Sequence, residues 1–141
     1  MHSVPKNREL YFFFLDVNAF KTINDTYGHY DGDRILQRVA DALQSVCAET
    51  KGVCGRYGGD EFAYMQDFQN EGEVEQMATL LAQRIRERCA GDDRIAAPAV
   101  TVSIGWARYD RETDDLPALI ARADQRMYAR KAQTKRRATG G

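Results

Sequence analysis

The apolar run from Leu10 to Leu15, resumed at Val17 after the single interruption of Asp16, constrains this chain more than any other feature. Successive residues of a strand point to opposite faces, so a run apolar at every position must be covered on both. It predicts a central strand with packed layers above and below. Asp16 then falls where the strand ends and the chain turns. A carboxylate in that position is costly to bury unless a cation or hydrogen-bond donors meet it, or unless it caps the helix that follows.

The remaining patterns supply the layers. A short helix is suggested from Ala19 to Asp25. Between Asp31 and Ala48 the residues Ile35, Leu36, Val39, Leu43, Val46 and Cys47 recur at helical spacing, with Gly32 marking the entry. Val53–Tyr57 and Glu61–Gln66 read as short strands around Gly58-Gly59-Asp60, the signature of a hairpin with a glycine turn. Val74, Met77, Leu81 and Ile85 share one face of a helix from Glu73 to Cys89. Ala99–Trp106 alternates as a strand, and a final helix is expected from Asp114 or Asp115, which would cap it, with Pro117 in its first turn. The order is strand, helix, hairpin, helix, strand, helix: an α+β fold with helices packed on a sheet.

Length and charge exclude several classes. With 141 residues, 43% of them hydrophobic, the chain suits one domain with one core. Its 20 basic and 21 acidic residues leave a net charge of −1, so no global field points to nucleic acid or to an anionic membrane. No apolar stretch has the length of a membrane span. Cys47, Cys54 and Cys89 are odd in number and lack metal-ligand spacing, which fits reduced thiols in the cytoplasm. Residues 1–9 read as a leader, 10–133 as the domain, and 134–141 as a basic tail expected to be disordered.

Three constellations carry chemistry. Asp16 is the first. Asp60 and Glu61 are the second, behind two glycines whose missing side chains let a ligand approach the backbone. If the hairpin lies beside the first strand, the three carboxylates converge, and three like charges favour a divalent cation, magnesium by preference, with substrate phosphates completing its shell. The same pattern also occurs in hairpins without function. Lys21, Lys131 and Lys135 are the third: either solvated surface charges or partners for a triphosphate.

The segment Arg56-Tyr57-Gly58-Gly59-Asp60-Glu61-Phe62 resembles the signature hairpin of the GGDEF domain of diguanylate cyclases without a substitution. It is joined by Asp16-Val17-Asn18-Ala19-Phe20-Lys21-Thr22-Ile23-Asn24-Asp25-Thr26-Tyr27-Gly28-His29, by Gly32-Asp33, by Thr101-Val102-Ser103-Ile104-Gly105, and by Ala123-Asp124 with Met127-Tyr128-Ala129-Arg130-Lys131. These blocks stand in the family's order and span nearly the whole chain. The resemblance implies a central, mostly antiparallel sheet surrounded by helices, like that of nucleotidyl cyclases and polymerase palms. It also implies condensation of two GTP into cyclic di-GMP with release of two pyrophosphates, in a homodimer of half-sites.

By position, the resemblance makes Asp16 and Asp60, with the carbonyl of Val17, ligands of Mg²⁺ or Mn²⁺, and gives Glu61 a role as ligand or base. Asp60, Glu61 and Lys21 would form the catalytic group. Asn24 and Asp33 would recognise guanine, because a carboxylate accepts from its N1–H and exocyclic amine while an amide offers a donor and an acceptor. Gly58 and Gly59 would let base and ribose lie on the hairpin. Lys21, the amides near Ala19 and Phe20, Lys131 and Lys135 would hold phosphates. An upstream sensor or receiver domain in a larger parent, cytoplasmic or membrane-anchored, is implied, with neither nucleic acid nor membrane as a partner of this domain.

The chain departs from the family in four places. The segment that precedes the first strand is missing, so residues 1–9 read as a truncated leader. Lys135 stands for an arginine, and Thr134 for the glycine before it, which weakens bidentate grip on phosphate. Asn18 replaces an acidic residue. Glu49-Thr50-Lys51-Gly52 replaces the R-x-x-D product-inhibition motif, so no inhibitory site of that type is expected. These departures keep open an alternative, a non-catalytic GTP-binding or protein-interaction module.

Overall fold

The computed structural model describes residues 7–139, with side chains described through Lys131. Residues 1–6 of the expected leader, and Gly140 and Gly141 of the expected tail, lie outside the described residues. The elements run β1 (Glu9–Val17), α1 (Phe20–Tyr27), α2 (His29–Glu49), β2 (Val53–Gly58), β3 (Glu61–Phe68), α3 (Glu71–Ala90), β4 (Val102–Arg108) and α4 (Leu116–Thr139). The four strands form one sheet in the order β2-β3-β1-β4, with every neighbouring pair antiparallel.

β1 is central, as its two-sided apolar run predicts. Tyr11, Phe13, Leu15 and Val17 point to the face covered by α2 and α3, where they meet Val39, Leu43, Leu81 and Ile85. Phe12 and Phe14 point the other way, into a smaller core with Ala107, Leu119, Ala123 and Met127. The larger face is stitched by aromatic edges: Phe13 meets Tyr64 at 5.7 Å and Phe68 at 5.9 Å between ring centres.

Gly105 sets how closely α4 approaches the sheet. A Cβ there would lie 2.2 Å from both the Ala123 carbonyl oxygen and the Met127 amide nitrogen, so only glycine admits this contact. Gly105 pairs with Phe14 across the ladder. The close approach carries the C-terminal part of α4 to the end of β1, where Asp16 lies.

Several boundaries differ from the sequence reading. α2 begins at His29, so Gly32, expected at the helix entry, is buried within its first turn. β4 begins at Val102 rather than Ala99, because the chain before it is held by other partners: Asn18 N–H donates to the Thr101 carbonyl at 2.9 Å. α3 starts at Glu71 behind Asn70, whose side chain accepts from Glu73 N–H at 2.9 Å, a cap not foreseen. The Asp115 carboxylate accepts from Ala118 N–H at 2.9 Å at the head of α4, as expected. The 134–141 segment, expected to be a disordered basic tail, is helical as far as Thr139. Lys135, Arg136, Arg137 and Ala138 are strong helix formers that extend α4 without a break.

Candidate functional site

Antiparallel pairing puts Asp16 directly opposite Glu61. Directly opposed residues share a face and stand about 5 Å apart, a placement that is unfavourable for like charges unless something offsets them. The face is the one covered by α4, whose Lys131 Nζ donates to Asp16 Oδ2 at 2.9 Å. Asp16 Oδ1 is buried and has no hydrogen-bond partner among the described residues. Asp60 joins from the turn: its carbonyl accepts from Val17 N–H at 3.3 Å, and its carboxyl is near enough to Asp16 for each acid to feel the other's charge. The hairpin thus brings Asp60 and Glu61 beside Asp16, which precedes them by more than forty positions.

The local irregularities have causes. The β2–β3 ladder shifts register between Arg56 and Gly58, a bulge of the kind that re-aims side chains beside active sites. Arg56 donates from Nε at 2.9 Å and Nη2 at 2.6 Å to the Gly59 carbonyl, bracing the turn that carries Asp60. Tyr57 packs its ring edge on Phe14 at 5.3 Å.

Crowding shows in the ionisation of the acids. Burial pushes the Asp60 carboxyl up to about 6, helped by its hydrogen bond with Asp16 and by the charges of Asp16 and Glu61. Glu61 is raised by burial and then by Asp16 and Asp124. Asp124, on the inner side of α4, was not named as a site residue from the sequence. Only the docking of α4 brings it to Glu61.

These residues suit a divalent cation in part. Among the described residues no group of three or more His, Cys, Asp or Glu side chains forms a ready-made metal cage. The orphaned Asp16 Oδ1 and the Asp60 carboxyl beside it nevertheless offer two oxygens whose repulsion a cation would relieve. Magnesium commonly takes only one or two carboxylates and completes its shell with water and phosphate oxygens.

The β1–α1 turn carries the expected phosphate amides. Ala19 adopts a left-handed conformation, φ 54°, and no side chain caps the start of α1. Such strain in a non-glycine residue marks positions held by their surroundings. The holding group is Asn18, which donates to Thr101 Oγ1 at 2.9 Å and accepts from Ser103 Oγ at 2.6 Å. Lys21 is exposed on the first turn of α1. Lys135 lies on α4 beyond the described side chains.

Asn24 and Asp33, the expected base-recognition pair, lie on α1 and α2. A Cβ at Gly32 would fall 1.9 Å from Asn24 Oδ1, so this glycine makes room for the amide. Asn24 Oδ1 is buried and unpartnered among the described residues. Asp33 is exposed at one end of a groove of about 330 Å³ between α2 and β2, bordered by Leu36, Arg56 and Phe62. Nothing of the protein lies within 4 Å of where a Cβ would stand at Gly58 or Gly59.

Asp31 was missed in the sequence reading. Its buried carboxylate accepts from Ala96 N–H at 2.9 Å and Ala97 N–H at 3.0 Å, tying the loop before β4 to α2. One acidic residue among many polar neighbours gave no local signal for such a distant bond.

The family model for the diguanylate cyclase GGDEF domain matches residues 1–137. The chain belongs to the GGDEF family. This GGDEF domain is 31% identical over 137 residues to diguanylate cyclase A of Treponema denticola, covering 97% of the chain and 36% of that protein. It is 32% identical over 119 residues to the cyclic di-GMP phosphodiesterase NbdA of Pseudomonas aeruginosa, covering 84% of the chain and 15% of that protein. The chain thus spans only a minor part of either relative. Its fold matches the coiled coil and GGDEF domain of DgcB from Caulobacter crescentus, solved in complex with c-di-GMP. The TM-score is 0.76 and the identity 28%, over 90% of this chain and 66% of that one. The expected palm-like cyclase fold is the fold observed.

Proposed function

We propose that this GGDEF domain condenses two GTP molecules into cyclic di-GMP, releasing two pyrophosphates, in a homodimer of half-sites that requires a divalent cation. The observation that carries this reading is the meeting of Asp16, Asp60 and Glu61 at the end of β1, with one Asp16 oxygen unsatisfied and Lys131 bound to the other.

Asp16, Asp60 and the Val17 carbonyl would hold Mg²⁺ or Mn²⁺, which supplies neutralisation of phosphate charge and acidification of an attacking hydroxyl. Glu61, opposite Asp16 and raised by burial, is placed to receive the proton of the GTP 3′-hydroxyl as it attacks the α-phosphorus of the GTP on the partner. The amides of Ala19 and Phe20 at the uncapped start of α1, with Lys21, Lys131 and Lys135, bind the β- and γ-phosphates and offset charge on the departing pyrophosphate. Asn24 Oδ1 and the Asp33 carboxylate accept from guanine, which adenine cannot satisfy because its N1 carries no proton. Gly58 and Gly59 leave the base and ribose room against the hairpin. Pairing of the half-sites falls to an upstream sensor or receiver domain of a cytoplasmic or membrane-anchored parent. Within the described residues no helix is long and apolar enough to cross a membrane.

Incubating the purified chain at high concentration with GTP and Mg²⁺ or Mn²⁺, then separating the products by chromatography, tests the reading. Cyclic di-GMP that vanishes in Glu61→Ala supports it. Metal-dependent GTP binding without product favours a second reading, a GTP-binding regulatory module. The match to a short part of a protein named as a phosphodiesterase also supports that alternative.

A further inference from the structure

The groove that has Asp33 at one end leads at the other toward two cysteines. Ala40, Leu43 and Gln44 line it from α2, and Cys54 and Gly55 line it from β2. Cys47 follows Gln44 by three positions and Leu43 by four, so it continues the same stripe of α2 one turn further. Cys54 sits on the facing strand, in register with Tyr64. The link between the two elements is short and pinned: Thr50 Oγ1 donates to the Val46 carbonyl at 2.8 Å and lies 2.9 Å from the Tyr64 hydroxyl. The two thiols thus lie on adjoining elements, packed against the same core, and burial first, then the neighbouring Cys54, pushes the Cys47 thiol up to about 12. Both thiols are free and half-buried. Cys89 is different: it lies on α3, buried in the main core, and burial pushes its thiol up to about 11.

We propose that Cys47 and Cys54 are a redox-modification site, oxidised by a low-molecular-weight disulfide to an internal disulfide that clamps the end of α2 to β2 and narrows the groove. Disulfide geometry requires Cβ atoms roughly 3.5–4.5 Å apart, so the clamp draws the end of α2 and β2 to that separation. The exchange balances as follows. Cys54, deprotonated, attacks one sulfur of the oxidant; that S–S bond breaks, one small thiol leaves with a proton, and a mixed disulfide remains. Cys47 then loses its proton and attacks the Cys54 sulfur, releasing the second small thiol. Two cysteine sulfurs are oxidised and the two sulfurs of the oxidant are reduced. The clamp acts on β2, which carries Arg56 and the hairpin, and on the helix carrying Asp33. Its effect on nucleotide therefore rests on the proposed function.

The test treats the full chain with oxidised glutathione, blocks the remaining thiols by alkylation, and maps peptides without reduction. The expected result is a Cys47–Cys54 linked peptide with Cys89 alkylated, the link disappearing in Cys54→Ser and persisting in Cys89→Ser. Cys47→Ser should stop at a stable glutathione adduct on Cys54, which keeps the idea testable if Cys54→Ser does not fold. A lasting adduct on wild-type Cys54, or both thiols remaining alkylatable, overturns the site. GTP titration of oxidised and reduced protein supplies the second arm: a several-fold weaker affinity after oxidation, reversed by reductant, is expected. Equal affinities in linked and reduced protein overturn the control of the groove. If reduced protein binds no GTP, the nucleotide reading fails, and the peptide map alone decides the disulfide.

Discussion

Asp16 and Asp31 are both carboxylates drawn into the interior, at opposite edges of the α1 region. Asp31 is 4% exposed and its oxygens accept from two backbone N–H groups of the loop before β4. Nearby, Asp92 is held by Arg34 at 2.9 Å and by Arg94 at 3.2 Å. Asp16 has one oxygen on Lys131 and one unpartnered, and it faces two further acids. A buried anion with its donors in place fastens two segments together. One left short of donors among like charges is maintained for something the chain itself does not supply.

Mutations can break this contrast, beginning with the largest effect. Asp60→Ala and Glu61→Ala should each reduce cyclic di-GMP formation by on the order of 10²-fold or more, as the loss of a preorganised charged group at a reacting centre does. The Asp60→Ala melting temperature should hold or rise, since a repelling charge is removed. Activity retained in either variant rejects the assigned centre. Asp31→Ala should do the reverse, leaving two buried N–H groups unpaired and costing about 1–3 kcal/mol in urea unfolding. A neutral outcome would remove its anchoring role.

Gly105→Ala should cost about 1–3 kcal/mol through overpacking against α4, with a fall in turnover as Lys131 and Asp124 shift from the acids. Unchanged stability would mean that α4 docks loosely. Asp33→Ala should lower the preference for GTP over ATP in binding titrations while leaving stability near wild type. Retained preference would place guanine recognition elsewhere.

The smallest effect is a pH trend. Asp60 has a folded value raised to about 6, and Glu61 is raised too. The metal-free folded state therefore holds protons more tightly than the unfolded chain. The stability these groups contribute is present below the usual carboxylate value of about 4 and is lost as pH rises through about 6. Melting temperatures recorded without metal should show this decline, and Asp60→Asn should flatten it. Stabilisation by added Mg²⁺ or Mn²⁺ should grow over the same window, because the cation competes with those protons. A flat profile with metal would argue against Asp60 as a ligand.

Much of the fold was legible in the residues. The two-sided strand, the glycine hairpin and three amphipathic helices follow from periods of two and 3.6, because those periods state which face each side chain must present. Boundaries were less legible where groups far along the chain bind the backbone, as the Asp31 carboxylate does before β4 and the Asn18 N–H does at Thr101. The site residues were legible as letters, through the hairpin and first-strand blocks. The register that opposes Asp16 to Glu61, and the approach of Lys131 and Asp124, were not.

What the sequence alone determined is the set of elements, the burial of β1 on both faces, and the presence of an acidic turn at the hairpin. Local periodicity and glycine placement encode those things within a few residues. The tertiary structure decided that Asp16 opposes Glu61, and that Lys131 reaches it across 115 positions through the contact permitted by Gly105. Those meetings depend on strand register and helix docking, which are settled by the packing of the whole core and by no single segment.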